Sequence, residues 1–236
     1  MNKLSLTQVA LTYSSGKQTE AAAVMEPLDL ELADGTVLGV VGPNGAGKTS
    51  LLNAIAGIGN VTGARRLDGE VLSVGVSRHL TFVAAEPVLI ERITVADFLV
   101  FDASLRQVEF TEQDVKKVME QFDCTEFADR QIRHCSLGMK KRAALAAAWL
   151  GNPRVILLDE PINGLDTVSI YRLKHAIAEH VNRGGIMVIS GHILSFIQKV
   201  ANRVILLESG KIVKELSQSD NLEAIFYEMF VEKEKG

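Results

Sequence analysis

The segment Gly42 to Ser50 reads GPNGAGKTS and contains the spacing G-x-x-x-x-G-K-T. These residue types in this order suit the binding of a phosphate chain. Gly42, Gly45 and Gly47 let the backbone curl closely around an anion, with Pro43, Asn44 and Ala46 between them. The loop N–H groups can then point inward, and a helix opening near Lys48 adds the positive end of its dipole. Lys48 is placed to neutralise β and γ phosphates. Thr49, followed by Ser50, offers a hydroxyl to Mg2+, an ion usually held by few protein ligands beside phosphate oxygens and water. A Gly-rich turn with a chance lysine is the competing reading. The context argues against it, because the apolar run Val37 to Val41 precedes the loop and helix-forming sequence from Lys48 to Ala56 follows.

A second constellation lies downstream. The apolar run Val155 to Leu158 ends directly in Asp159-Glu160. A buried strand that ends in two acids sets both at the carboxyl edge of a sheet, where open α/β folds bind their ligands. Asp159 can hold a metal ion, directly or through water, and Glu160 can orient or deprotonate an attacking water. A solvated acidic turn before Pro161 is the alternative for this stretch taken alone.

These residues need elements to position them. Leu4, Leu6, Val9 and Leu11 fall near alternate positions, as in a half-buried strand. Val24 to Leu32, Val37 to Val41, Val71 to Val74 and Leu80 to Val83 read as further strands. Thr94 to Asp102 and Thr111 to Phe122 read as helices, the second opened by Thr111 with Asp114 three residues on, similar to a capping box. After the acidic strand come helix Val168 to Val181, strand Ile186 to Ile189, helix Leu194 to Val200, strand Val204 to Leu207 and a further extended segment, Lys211 to Glu215. Leu222, Ile225, Phe226, Met229 and Phe230 line one face of a last helix. Alternating strands and helices imply an α/β fold with a mainly parallel sheet. The expected division is a nucleotide-binding core from 1–86 and 151–220, a helical insertion at 87–150, and a C-terminal helix and tail at 221–236.

Composition narrows the function classes. The chain has 236 residues, 47% hydrophobic, enough for one sizeable core, and a net charge of −4 that gives no nucleic-acid footprint. No stretch approaches the length of apolar residues that spans a bilayer. Cys124 and Cys135 lack metal-ligand spacing and read as reduced thiols.

Cys135 to Arg142 reads CSLGMKKR and opens an Ala-rich segment, and Asp159 to Asp166 reads DEPINGLD. With the Gly-rich loop upstream, the three motifs resemble those of ABC ATPases: the phosphate loop, the signature (commonly LSGGQ), and the Walker B end with the D-loop. The SLGMK form is similar to that of bacitracin-type and related multidrug exporters. His192, in Ser190-Gly191-His192, resembles the switch histidine, and Tyr13 lies where the family places an aromatic residue that stacks on adenine.

The resemblance implies a P-loop fold with an N-terminal antiparallel β subdomain and an inserted helical signature subdomain. It also implies ATP and Mg2+ as cofactors, with Lys48, Glu160 and His192 catalytic and Thr49 and Asp159 at the metal. Ser136 and Gly138 would meet the nucleotide of a second, head-to-tail subunit, with Asp166 nearby. The implied partners are that second ATP-binding subunit and an integral membrane permease, at the cytoplasmic face of the membrane. The signature variant and the lack of a further C-terminal domain point to export of a peptide, drug or lipid. A non-transport ABC ATPase and a poorly hydrolysing regulatory subunit remain the alternatives.

Three positions depart from the pattern. Cys135 stands for the usual Leu or Tyr, and Leu137 for the commoner Gly. In LTFVAAEPVL, from Leu80 to Leu89, Ala85 replaces a glutamine that contacts Mg2+ or the attacking water. Lys48→Ala is expected to abolish ATP binding, measured by calorimetric titration, because the phosphates lose their main countercharge; an unchanged affinity would refute the phosphate-loop reading.

Overall fold

The structure, a computed structural model, describes residues 3–13, 22–72 and 77–232. The chain runs β1 (Lys3–Tyr13), β2 (Ala22–Ala33), β3 (Val37–Val41), α1 (Lys48–Ala56), β4 (Asn60–Leu67), β5 (Glu70–Val71) and β6 (Leu80–Val83). The helices α2 (Val95–Leu105), α3 (Glu112–Gln121) and α4 (Leu137–Trp149) follow. Then come β7 (Val155–Leu158), α5 (Thr167–Asn182), β8 (Ile186–Ser190), α6 (Leu194–Val200), β9 (Arg203–Glu208), β10 (Lys211–Ser217) and α7 (Leu222–Phe226).

The main sheet has the order β10-β9-β3-β8-β7-β6, parallel except for β10. Strands β3, β7 and β8 are buried at every position, and their unbroken apolar runs reflect cover on both faces. One face carries Leu38, Val40, Leu157, Val188 and Leu207, which pack with Leu51, Leu52 and Ile55 of α1 and with the antiparallel sheet β2-β1-β4-β5. The other face carries Ile156, Leu158, Met187 and Ile189 and packs against the helical layer. Parallel pairing aligns Val40 with Ser190, Leu158 with Ile189, and Val83 with Leu158. The carboxyl ends of β3, β8, β7 and β6 therefore lie side by side.

Two buried arginines lock helix C-termini, where the unpaired carbonyls and the dipole favour a cation. Arg65 of β4 donates to Ile55 O at 3.0 Å, at the end of α1. Arg106, the residue after α2, donates to Ala147 O at 2.8 Å and Leu150 O at 3.0 Å, and so ties α2 to the end of α4. The capping box on α3 is present as the sequence implies, with Thr111 and Asp114 bonded reciprocally.

The structure departs from the sequence reading in three places. Strand β4 carries no apolar pattern because only Arg65 and Leu67 are buried in it, and its pairing with β1 recruits it. Of Val71 to Val74, expected as a strand, Val71 ends β5 and Leu72 lies outside it, while 73 and 74 lie outside the described residues. The last helix ends at Phe226 and widens to a π-type turn over Tyr227–Glu232, although Leu222 and Phe230 stay buried.

His180 of α5 is 2% exposed and packs edge-on against Trp149. Its Nε2 has no hydrogen-bond partner among the described residues. Burial, with the nearby Arg183 and Arg154 charges, lowers its pKa to about 4. The unfolded chain then binds the extra proton between the ordinary histidine value and about 4, so stability falls as pH drops through that window. The expected loss is about 2 kcal/mol between pH 7.5 and 5. Urea unfolding at both pH values checks it: His180→Gln should shrink the drop by about that amount.

Candidate functional site

The Gly-rich loop sits at the carboxyl end of β3. Gly42 must be glycine, because a Cβ there would lie 2.3 Å from the Leu207 carbonyl oxygen. Gly47 caps α1 with a φ of 102°, a left-handed backbone that favours glycine. The first turn of α1 has neither a side-chain cap nor an acidic residue. Its N-terminal N–H groups and dipole therefore face the loop without a cap or countercharge from the helix itself. Lys48 is buried, and its ammonium donates back to Gly42 O at 2.9 Å and Pro43 O at 3.0 Å. The lysine is thus held over the mouth of its own loop with one N–H donor to spare.

Asp159 closes the other side. The residue is 2% exposed. Oδ2 accepts from the Thr49 hydroxyl at 2.8 Å, and Oδ1 accepts from the Ser190 hydroxyl. Ser190 Oγ in turn accepts the Glu160 backbone N–H at 3.0 Å. Glu160 has a φ of 45°, uncommon for a residue with a side chain and frequent at functional sites. This turn sends its carboxylate to His192, whose Nδ1 lies 2.7 Å from Oε2. With Glu160 ionised, that contact requires Nδ1–H to donate, which leaves Nε2 free. Thr49, Asp159, Glu160 and His192, singled out from sequence on separate segments, therefore form one chain of contacts across the loop.

Thr49 and Asp159 offer two adjacent oxygens to a hard cation. Among the described residues, no group of three or more His, Cys, Asp or Glu side chains could hold a metal ion. The donor set fits an ion that keeps water and phosphate oxygens as most of its ligands.

Ser136, Gly138 and Asp166 form a second group. Ser136 caps α4 and its Oγ accepts the Met139 N–H at 3.3 Å. Asp166 caps α5, and the Ser169 N–H bond at 2.7 Å holds its carboxyl below the usual range. A Cβ on Gly138 would lie 2.9 Å from Gly164 O, so the two cap segments are packed together. None of these side chains hydrogen-bonds to the Gly-rich loop among the described residues. The backbone of Tyr13 ends β1 opposite Ala22, and its side chain lies outside those described.

Two residues escaped sequence reasoning. Ser190 was noted only as a neighbour of His192, yet it links both acids. Lys141 lies unremarked within CSLGMKKR, yet it is 1% exposed and donates to Ala84 O at 3.1 Å and Ala85 O at 2.9 Å. Burial lowers its pKa to about 8, against the opposing pull of Asp159 and Glu160. The available signal was helical spacing, which places Lys141 on the face of Ala144, Leu145 and Ala148.

Beside β6 an apolar groove of about 520 Å³ is lined by Val83, Val88, Ile90, Phe98, Phe101 and Ala144, among others. Val88 is 99% and Phe101 42% exposed. No residue of the Gly-rich loop lines it.

The family model for ABC transporters matches residues 25–163. The putative ABC transporter ATP-binding protein AlbC of Bacillus subtilis is 31% identical over 217 residues, 87% of this chain and 91% of that protein. The lantibiotic transport ATP-binding protein SrtF of Streptococcus pyogenes is 29% identical over 219 residues, 92% of this chain and 93% of that one. Among solved structures, the ATP-binding cassette MJ0796, a dimer in a post-hydrolysis state bound to ADP and Pi, superposes with a TM-score of 0.79 at 22% identity. That match covers 92% of this chain and all of the other. The motifs, the fold and the family match agree: the chain belongs to the ABC transporter family, as an ATP-binding subunit with ATPase activity.

Proposed function

We propose that this subunit drives a separate membrane permease that exports a peptide, drug or lipid, by hydrolysing ATP between two head-to-tail copies or relatives of itself. The observation that carries the hydrolytic reading is the contact chain Thr49–Asp159–Ser190–Glu160–His192 at the loop mouth. Lys48 and the loop N–H groups hold the phosphates. Thr49 and Asp159 hold Mg2+, which supplies positive charge to the phosphate oxygens. Glu160 takes the role of base or water-orienting group, and His192 keeps its carboxylate aimed. Tyr13 stacks on adenine.

The group Ser136–Gly138, at the exposed start of α4, serves the nucleotide of the opposite subunit, with Asp166 at the same seam. A hydroxyl, free N–H groups and a helix dipole suit a γ phosphate. The dimeric arrangement of MJ0796 supports this reading. No helix of the described residues is long and apolar enough to cross a membrane, so membrane work needs a partner. The apolar groove beside Val88 and Phe101 suits that partner, which supports a location at the cytoplasmic face of the membrane. The similarity to SrtF, named for lantibiotic transport, favours a peptide cargo.

Two substitutions test the two halves of this proposal. Glu160→Gln should leave ATP binding intact and slow hydrolysis by about 10²-fold or more. With ATP and Mg2+ the variant should accumulate as a dimer in light scattering, and a purely monomeric variant at saturating ATP contradicts the sandwich. Val88→Glu changes an exposed side chain and should leave the ATPase of the isolated subunit unchanged. In the reconstituted transporter it should weaken permease association and cargo-stimulated hydrolysis; equal stimulation would remove the groove from the interface.

A further inference from the structure

Lys141 is the most deeply buried cation near the site, yet it makes no ion pair among the described residues. On its own face of α4 it is followed by Ala144, Leu145 and Ala148, and an apolar side chain would fill the same space without the cost of desolvating a charge. Packing alone does not account for it.

Its two hydrogen bonds end on a meaningful piece of backbone. Ala84 and Ala85 follow β6, whose Val83 is paired with Leu158 of β7. The Val83 carbonyl accepts the N–H of Asp159 at 2.9 Å. Lys141 therefore grips the segment whose preceding residue holds the first acid of the pair. Neither Ala84 nor Ala85 has a polar side chain with which to reach that turn itself. The charges of Asp159 and Glu160 both act on the ammonium. At its other end, Lys141 sits on the helix that Ser136 opens, about 7 Å along the axis from that cap. Any anion or partner that pulls on Ser136–Gly138 moves the same helix.

We propose that Lys141 is a positioning residue for hydrolysis: its ammonium ties the start of α4 to the Ala84–Ala85 backbone, and through it sets the aim of the Asp159–Glu160 turn. The inference rests on the reading of Glu160 given above. It makes α4 a lever. Engagement at its exposed cap is transmitted, one and a half turns later, to the backbone that supports the acids.

The test uses the purified subunit, with wild type, Lys141→Met and Glu160→Gln assayed in parallel. Lys141→Met keeps the length of the side chain and removes the donors. Expected are a fall in kcat of about tenfold, a KM for ATP within about twofold of wild type, and faster amide exchange confined to the peptide spanning 84–90. A wild-type kcat overturns the inference, as does faster exchange throughout the chain with kcat lost only in proportion to folded protein. Should Lys141→Met fail to fold, Lys141→Gln, which keeps an N–H donor, is judged by the same split between kcat and KM and the same exchange pattern. An inactive Glu160→Gln beside a fully active Lys141→Met rejects this inference alone. A fully active Glu160→Gln rejects the reading of Glu160 and this inference with it.

Discussion

The buried carboxylate of Asp159 is the point on which the site depends. A charge at this depth is tolerated only when its oxygens are hydrogen-bonded, since an unpaired buried carboxylate would be neutralised or expelled. Here the Thr49 hydroxyl satisfies one oxygen and the Ser190 hydroxyl the other. Thr49 belongs to the helix after β3, Asp159 follows β7 and Ser190 ends β8, so one side chain fastens the ends of three adjacent strands. The bonds available to the acid in turn require those strands to end at the same level, which the parallel register supplies.

Around that point the fold solves a recurrent problem, the unpaired groups at helix ends, in two different ways. Helices α1 and α4 have their carboxyl ends closed by the buried Arg65 and Arg106. The start of α1 is left uncapped behind Gly47, while that of α4 is closed only by Ser136. With cations at the C-termini and no acidic residue in either first turn, the positive ends of both dipoles are left to favour an anion. The stability of these helices and the chemistry at their starts thus share one electrostatic arrangement.

The acid pair also depends on the helical layer. Lys141 reaches from α4 to the backbone beyond β6, and β6 is the edge strand next to β7. An edge strand has only one neighbour to hold it, so a cation from a packed helix adds restraint where the sheet supplies least. The strained backbone of Glu160 is kept in place by neighbours of this kind, with Ser190 on its N–H and His192 on its carboxylate.

Much of this was legible in the sequence because it is written in short windows. The Gly-rich loop, the apolar run before Asp159-Glu160 and the serine that caps α4 are each local patterns, and β3, β6, β7, α1 and α6 have the bounds that their apolar runs and flanking turns imply. The capping box at Thr111 is likewise a four-residue pattern. What the sequence could not decide was the burial of polar groups, which depends on what arrives from elsewhere in the chain. Ser190 bonds a residue 31 positions away, and Lys141 bonds carbonyls 56 and 57 positions away. Strand β4, rich in exposed and charged residues, becomes a strand only because β1 offers it a free edge. Local spacing therefore determined which residues could do chemistry, and tertiary packing alone decided which of them were desolvated, paired and aimed at one another.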